Sequence, residues 1–351
     1  MSIDIKLNKK LNNFNIDIEL SHDGKCLGIL GASGCGKSMT LKMIAGIEKP
    51  DSGKIVLNGR TIYDFDKKID LKPQERKVGY LFQNYALFPN MTVEENIGIG
   101  LKNKSNSEKK SIVNGYIEKF GLKDLEKRHP YELSGGQQQR CALARIMASS
   151  PDIIMLDEPF SALDSFLKDK LQLELLEYLK EFHGDIIMVS HSRDEIYRFC
   201  DKLAIMNEGK IISFGDTKSL FINPKKLEAA RLTGCKNISK AVKTGDYSIK
   251  ALDWNVELKT QEKVKDSITH VGIRAHDVCL EYEKSENSLE VFTDRIDDAP
   301  FEVTYVLKNS DKKTQGEIWY KIGKNMDFFN DKENFDIKYV SLPKDKLLLL
   351  D

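Results

Sequence analysis

The chain has 351 residues, 40% hydrophobic and 31% charged, which is a length for about two domains and the composition of an ordinary globular protein, not a disordered or fibrous one. Lys+Arg 54 balance Asp+Glu 54 for a formal net charge of +0, so nothing global points to nucleic acid or to an anionic membrane surface as a partner. No apolar run approaches the roughly 20 residues that a membrane-spanning helix needs. The opening MSIDIKLNKK lacks the apolar core of a secretory leader, so a cytoplasmic chain is expected.

In chain order, 16–22 alternates as a half-buried strand, and KCLGIL (25–30) reads as a strand buried on both faces. It runs straight into GASGCGKS (31–38). MTLKMIAGI (39–47) follows with helical spacing, a stop at Gly46 and Pro50 beyond. GKIVLNGR (53–60) reads as a short hairpin and VGYLF (78–82) as another buried strand. From about 84 to 150 the period becomes helical, which predicts a helical insertion; its lysine-rich stretch KNKSNSEKK (102–110) is explained by an exposed loop.

Strands return at DIIMLDEP (152–159) and DIIMVSH (185–191), separated by a helix with Leu163, Leu167, Leu171, Leu175 and Leu179 at four-residue intervals. Strand, helix and strand in this order predict right-handed parallel crossovers and an α/β core. Beyond NPKKLEAARLTG (223–234) the pattern turns to short alternating strands: ITHVGIRAHDV, FEVTYVL, GEIWYKI and FDIKYVSL. The expected division is therefore an α/β domain over 1–232 and a small all-β domain over 233–351. Six cysteines, Cys26, Cys35, Cys141, Cys200, Cys235 and Cys279, are scattered with no C-x-x-C pair, so reduced thiols are expected, not disulfides or a zinc site.

The segment Gly31-Ala32-Ser33-Gly34-Cys35-Gly36-Lys37-Ser38 fits G-x-x-x-x-G-K-[ST] between a strand and a helix. A polyphosphate needs convergent backbone N–H groups with no side chain in the way; the glycines allow that approach and the helix start adds its positive dipole end. Lys37 is expected to bridge the β- and γ-phosphates of ATP, and Ser38 to hold Mg²⁺. Cys35, beside Lys37, is a site for a lowered thiol pKa, although an inert small residue is the simpler reading.

Ile153-Ile154-Met155-Leu156 leads into Asp157 and Glu158. A doubly buried strand presents such a pair at its carboxyl end, where open α/β sheets bind ligands. Asp157 suits Mg²⁺, which takes few carboxylates plus phosphate oxygens and waters. Glu158 is left to accept a proton from the water that attacks the γ-phosphate. His191 follows a further buried strand and would face the γ-phosphate or its water, while Gln83, just after the 78–82 strand, would sense Mg²⁺ or that water.

Ser134-Gly135-Gly136-Gln137 opens the helix QQQRCALARIM, giving a second anion-ready helix start without a second P-loop lysine. A head-to-tail dimer resolves this, with each ATP held by the P-loop of one copy and the Ser134–Gln137 segment of the other.

Together, GASGCGKS, Gln83, LSGGQQQR, IIMLDEP, Ser161-Ala162-Leu163-Asp164 and His191 resemble, in order and spacing, the ATPase subunits of ABC transporters over about 1–232. In that family these are the Walker A, Q-loop, signature, Walker B, D-loop and switch-histidine elements. FQNYALFPNMTVEENI looks like the importer branch, whose Q-loop region receives an integral membrane permease, which a solute-binding protein supplies. The resemblance thus implies a P-loop α/β core with a helical subdomain, ATP and Mg²⁺ as cofactors, a second copy as partner, and a place on the inner face of the cell membrane. The last third resembles the β-barrel (TOBE-like) extension of bacterial importer ATPases, and LTGCKNIS and VGIRAHD look most like molybdate, tungstate or sulfate uptake; sugar, polyamine or iron import is the alternative.

Met39 departs from the family pattern, standing where a hydroxyl residue is usual; of the aromatic expected to stack on adenine before the P-loop, Phe14 is the one candidate, and its alternation with Ile16, Ile18 and Leu20 reads equally as a core position. Outside the transporter class, a soluble ATPase of the same family or a nucleotide sensor without turnover remains as an alternative. The single cassette argues against the first, and the presence of Glu158 and His191 against the second. The all-β domain carries no catalytic constellation, and a dimerising or regulatory role is expected for it.

Overall fold

The computed structural model describes residues 3–11, 14–101, 104–161, 165–311, 316–324 and 337–351, with the side chains of 165–167 left aside. The chain divides into two compact units, Met1–Lys218 and Ser219–Asp351.

The first unit begins with β1 (Ile3–Lys10), β2 (Asn15–His22) and β3 (Cys26–Leu30), followed by α1 (Lys37–Ala45). Next come β4 (Ser52–Leu57), β5 (Arg60–Asp64), β6 (Ile69–Asp70) and β7 (Val78–Leu81). The helices α2 (Val93–Gly98), α3 (Asn106–Lys119) and α4 (Gly135–Ala148) then precede β8 (Ile153–Asp157). The unit continues through α5 (Ser165–Lys180), β9 (Asp185–Ser190), α6 (Arg193–Phe199), β10 (Lys202–Asn207) and β11 (Lys210–Asp216). These strands form one sheet in the order β6-β5-β4-β1-β2-β11-β10-β3-β9-β8-β7. The segment β10-β3-β9-β8-β7 is parallel, and β1, β2, β4, β5 and β6 pair antiparallel.

Every residue of β3, β8 and β9 is buried. Doubly covered parallel strands require such continuous apolar runs, and each fully buried branched side chain contributes about 1.5–3 kcal/mol. Pairing sets the site. Leu30 lies abreast of Ser190 and Asp157 abreast of Val189, so residues 31, 158 and 191 leave neighbouring strands at one sheet edge.

The sequence places a helical insertion at 84–150, and α2, α3 and α4 occupy that stretch between β7 and β8. Thr92, Ser105 and Ser134 start these three helices with capping boxes, each side-chain oxygen accepting from an otherwise orphaned backbone N–H. Of the leucines spaced along α5, Leu171, Leu175 and Leu179 are buried; Leu163 and the Leu167 side chain lie outside the described residues.

The second unit holds most of α7 (Thr217–Ile222), then α8 (Leu227–Leu232), β12 (Asn237–Gly245), β13 (Ser248–Ala251), β14 (Val256–Lys259) and β15 (His270–Ile273). Then follow β16 (Cys279–Glu281), β17 (Ser288–Asp298), β18 (Glu302–Asn309), β19 (Glu317–Gly323), β20 (Tyr339–Ser341) and β21 (Leu348–Leu350). Two five-stranded sheets result, β14-β13-β12-β15-β21 and β16-β20-β17-β18-β19, around a core that includes Trp254, Leu258, Leu307 and Val340. The units divide between Lys218 and Ser219, whereas the sequence reading sets the division after 232. The physical reason is that Ala230 of α8 packs with Cys235, Leu348 and Leu350, so this helix is built into the β unit.

Candidate functional site: a phosphate loop beside a carboxylate pair

The loop after β3 turns through Gly34 at φ 82° and Gly36 at φ 107°, left-handed values that glycine adopts without steric cost. Gly31 is also held by space, because a Cβ there would sit 2.5 Å from the Met206 carbonyl oxygen. At Gly34 nothing lies within 4 Å of an added Cβ, which leaves the loop open on that side. Ala32, Ser33 and Gly34 are exposed, while Cys35 and Lys37 are buried.

With a 4% exposed side chain, Lys37 donates from Nζ to the Gly31 and Ala32 carbonyls, both at 2.9 Å, and lies 4.0 Å from Glu158 Oε1. Ser38 Oγ donates to Asp157 Oδ1 at 2.7 Å, and the Tyr80 hydroxyl donates to Asp157 Oδ2 at 2.8 Å. Burial, reinforced by the Asp157 charge, raises the Tyr80 pKa far above its ordinary value, so the phenol stays a donor and fixes the carboxylate. A hydroxyl and a carboxylate held side by side are hard oxygen donors of the kind Mg²⁺ takes, and Ser38 and Asp157 therefore fit that ion.

Glu158 sits at φ 48°, and its N–H donates to the Val189 carbonyl at 3.0 Å. The Ser161 hydroxyl donates to the Glu158 carbonyl at 2.9 Å, closing a tight turn; Ala162, Leu163 and Asp164 lie outside the described residues. From the next strand, His191 Nδ1 comes within 3.4 Å of Glu158 Oε2, with the ring half-exposed. Its loop is pinned from below. Ser190 Oγ donates to Glu195 Oε2 at 2.6 Å and accepts from the Ser192 N–H at 2.9 Å, and Lys168 pairs with Glu195 at 2.6 Å.

Lys37, Ser38, Asp157, Glu158 and His191 are thus brought together as the sequence expects. Gln83 is exposed just beyond β7, and among the described residues its side chain makes no hydrogen bond to this group. Phe14, ahead of β2, is partly buried against the sheet core. Met39 packs against the same core.

Ser134 caps α4: its N–H donates to Gln137 Oε1 at 2.8 Å and its hydroxyl accepts from the Gln137 N–H at 3.4 Å. Among the described residues no hydrogen bond joins 134–137 to 31–38. Cys35 corrects the sequence-based suggestion of a lowered pKa, because burial outweighs the Lys37 charge and raises it.

Sequence reasoning missed Tyr80, Glu195 and Gln139. The 1% exposed Gln139 donates from Nε2 to the Pro159 carbonyl at 3.0 Å, tying α4 to the turn after Glu158. The available signals were polar groups at buried-face positions, a strand tyrosine and a helix glutamine, each of which must find a partner.

Residues 11–161 match the family model described as ABC transporter. The Fe(3+) ions import ATP-binding protein FbpC of Haemophilus influenzae is 36% identical over 302 residues, 84% of this chain and 85% of that protein. This chain belongs to the ATP-binding subunits of ABC importers. It is an ATPase and binds ATP. The Molybdate/tungstate import ATP-binding protein WtpC of Pyrococcus horikoshii is 38% identical over 291 residues, 82% of this chain and 81% of that one. In three dimensions the ATP-binding cassette MJ0796, solved as a dimer in a post-hydrolysis state bound to ADP and Pi, superposes with a TM-score of 0.52 at 26% identity, over 61% of this chain and 98% of that cassette. No helix among the described residues is long and apolar enough to cross a membrane.

Proposed function

We propose that two copies of this importer ATPase close head to tail on two ATP molecules, and that the cycle of closing, hydrolysis and reopening drives a separate permease at the inner face of the membrane. The observation that carries this reading is the pair of anion-ready helix starts. Gly36 leads into α1 beside a buried lysine, while Ser134 leads into α4 with no hydrogen bond to the P-loop of its own chain. The dimeric state of the similar cassette supports it.

Lys37 then exchanges its two carbonyl acceptors for β- and γ-phosphate oxygens, a stronger charge-assisted pairing. Ser38 and Asp157 would hold Mg²⁺, which neutralises phosphate charge when bound, and Gln83 would reach it on closure. Glu158 takes the proton of the attacking water, and His191, 3.4 Å away, orients that water or the γ-phosphate. Gly135, Gly136 and Gln137 follow Ser134 in cradling the ATP of the partner copy, and Phe14 is the aromatic offered to adenine. Closure depends on ATP binding the closed state more tightly than the open one.

As cargo we assign a tetrahedral oxyanion of the molybdate, tungstate or sulfate type. LTGCKNIS, VGIRAHD and the likeness to the Pyrococcus protein support this. Iron import is the second reading, favoured by the likeness to the Haemophilus protein. A solute-binding protein would deliver the cargo, and the all-β unit would dimerise the chain or regulate it. Deleting the gene should abolish molybdate uptake and spare Fe(3+) uptake; the reverse pattern selects iron.

The motor itself is tested with Glu158→Gln. Hydrolysis should fall about 10²–10⁴-fold, while ATP with Mg²⁺ should bring two copies together in light scattering. Normal hydrolysis, or a monomer under those conditions, would overturn the reading.

A further inference from the structure

Beyond β7 the chain runs through a segment, 85–92, whose shape is dictated by helices and not by the sheet. Tyr85 and Ala86 are consecutive non-glycine residues at φ 60° and 43°, a conformation that costs about 1–2 kcal/mol per residue and persists only where the surroundings over-determine it. Arg145 of α4 supplies the restraint. Its Nη2 donates to the Tyr85 carbonyl at 2.9 Å and its Nη1 to the Ala86 carbonyl at 2.8 Å, with the guanidinium 5.5 Å from the centre of the Phe88 ring.

The far end of the segment is held by Asn96 of α2, which is fully buried. Its Oδ1 accepts from the Phe88 N–H at 2.9 Å, and its Nδ2 donates to the Phe88, Met91 and Thr92 carbonyls, each at 3.1 Å. Tyr85 is the buried anchor, its hydroxyl without a partner among the described residues, while Phe88 projects into solvent at 44% exposure.

The same α4 starts at the Ser134 cap and reaches the turn after Glu158 through Gln139. A 14-residue helix is about 20 Å long and nearly rigid. We infer that Arg145 is a positioning residue: through it, α4 carries the state of the nucleotide seam at Ser134 to the segment around Phe88, which lies in the stretch whose resemblance to importers implies a permease contact. This rests on the head-to-tail reading above. Without Arg145 the nucleotide is still bound and split, but the 85–91 surface no longer follows it.

Hydrogen–deuterium exchange on the full chain tests this in a Glu158→Gln background, with and without ATP and Mg²⁺. The Tyr85 and Ala86 amides donate to the Phe82 and Asn84 carbonyls, that of Met91 to the Phe88 carbonyl and that of Phe88 to Asn96, so all four report. With Arg145 present, the Tyr85 and Ala86 amides should change their exchange on nucleotide addition. Arg145→Gln should raise their exchange about tenfold or more and abolish the response, leaving Phe88 protected by Asn96 and ATP-driven dimerisation intact.

In the Glu158 background, Arg145→Gln should keep basal ATPase activity within about twofold. Adding Ala86→Gly, where a left-handed φ has no steric cost, should restore protection but not the nucleotide response, which a merely structural role for Arg145 would not split. Arg145→Lys covers the case in which the glutamine variant fails to fold, and should give the same loss of response. An unchanged response in Arg145→Gln or Arg145→Lys would overturn the inference. A Glu158→Gln chain that stays monomeric in light scattering would instead overturn the dimer reading beneath it.

Discussion

Ser38 and Asp157 are 119 residues apart in the chain and joined at 2.7 Å, hydroxyl to carboxylate, at the meeting of α1 and β8. The second carboxylate oxygen is taken by Tyr80, so Asp157 is oriented before any ligand arrives. Pre-orientation of this kind reduces the reorganisation needed during the reaction.

Removing the charge at Asp157 while keeping its shape isolates that arrangement. Asp157→Asn should lower Mg²⁺-dependent ATPase activity by about 10²-fold or more and shift the Mg²⁺ concentration needed for half-maximal activity upward. Tyr80→Phe, which deletes one hydrogen bond, should give a smaller loss, of about 10-fold at most. A Mg²⁺ titration of both variants checks the order.

Lys37 stands next. It is buried with two carbonyl partners and Glu158 nearby, so its ammonium is held ready for phosphate. Lys37→Ala should weaken ATP binding about 10–100-fold, the size expected for one or two hydrogen bonds to a charged group. Equilibrium titration with a fluorescent ATP analogue measures this directly.

The thiols separate by exposure. Partial burial and the nearby Glu281 and Asp277 raise the Cys279 pKa, so the access of this exposed thiol sets it apart: DTNB near pH 8 should titrate one thiol first in the folded chain and all six after denaturation. Cys279→Ser should abolish the fast phase and leave the ATPase rate unchanged.

His22 predicts a pH effect on stability. Burial lowers its pKa, against the pull of Asp185, so the folded chain favours the neutral ring. A group whose folded pKa lies below its unfolded value takes up protons preferentially on unfolding, and its contribution is lost as pH falls below about 6.5. Asp185 has its pKa raised by burial, an effect opposite in sign. The His22 contribution to the melting temperature should therefore drop between pH 7 and pH 5, which the difference between the native chain and His22→Gln measures.

The contiguous parts of the site were legible because each motif carries its own local geometry. GASGCGKS between a buried strand and a helix, and two carboxylates at the end of IIMLD, dictate where phosphate and charge meet before any packing is known. The parallel core and the later all-β stretch followed from periodicity in the same way. What stayed hidden depends on contacts between elements. Tyr80, Gln139 and Arg145 sit inside ordinary strand and helix patterns, and only the stacking of β7, α4 and the 158–161 turn gives their polar ends something to hold. Cys35 could be read two ways for a related reason, since adjacency to Lys37 is visible in sequence and the depth of burial, which favours the inert reading, is not. The assignment of α8 to the β unit likewise rests on Ala230 meeting Leu348 and Leu350, more than a hundred residues later.

Glu158 is the general base proposed above, and its backbone is left-handed at φ 48°. Glycine relaxes such a position by about 1–2 kcal/mol but has no carboxylate to offer. Selection for heat resistance and selection for turnover therefore pull this single codon in opposite directions. A mutant library screened only for thermal survival should accumulate glycine at 158 and fill with durable, inert chains.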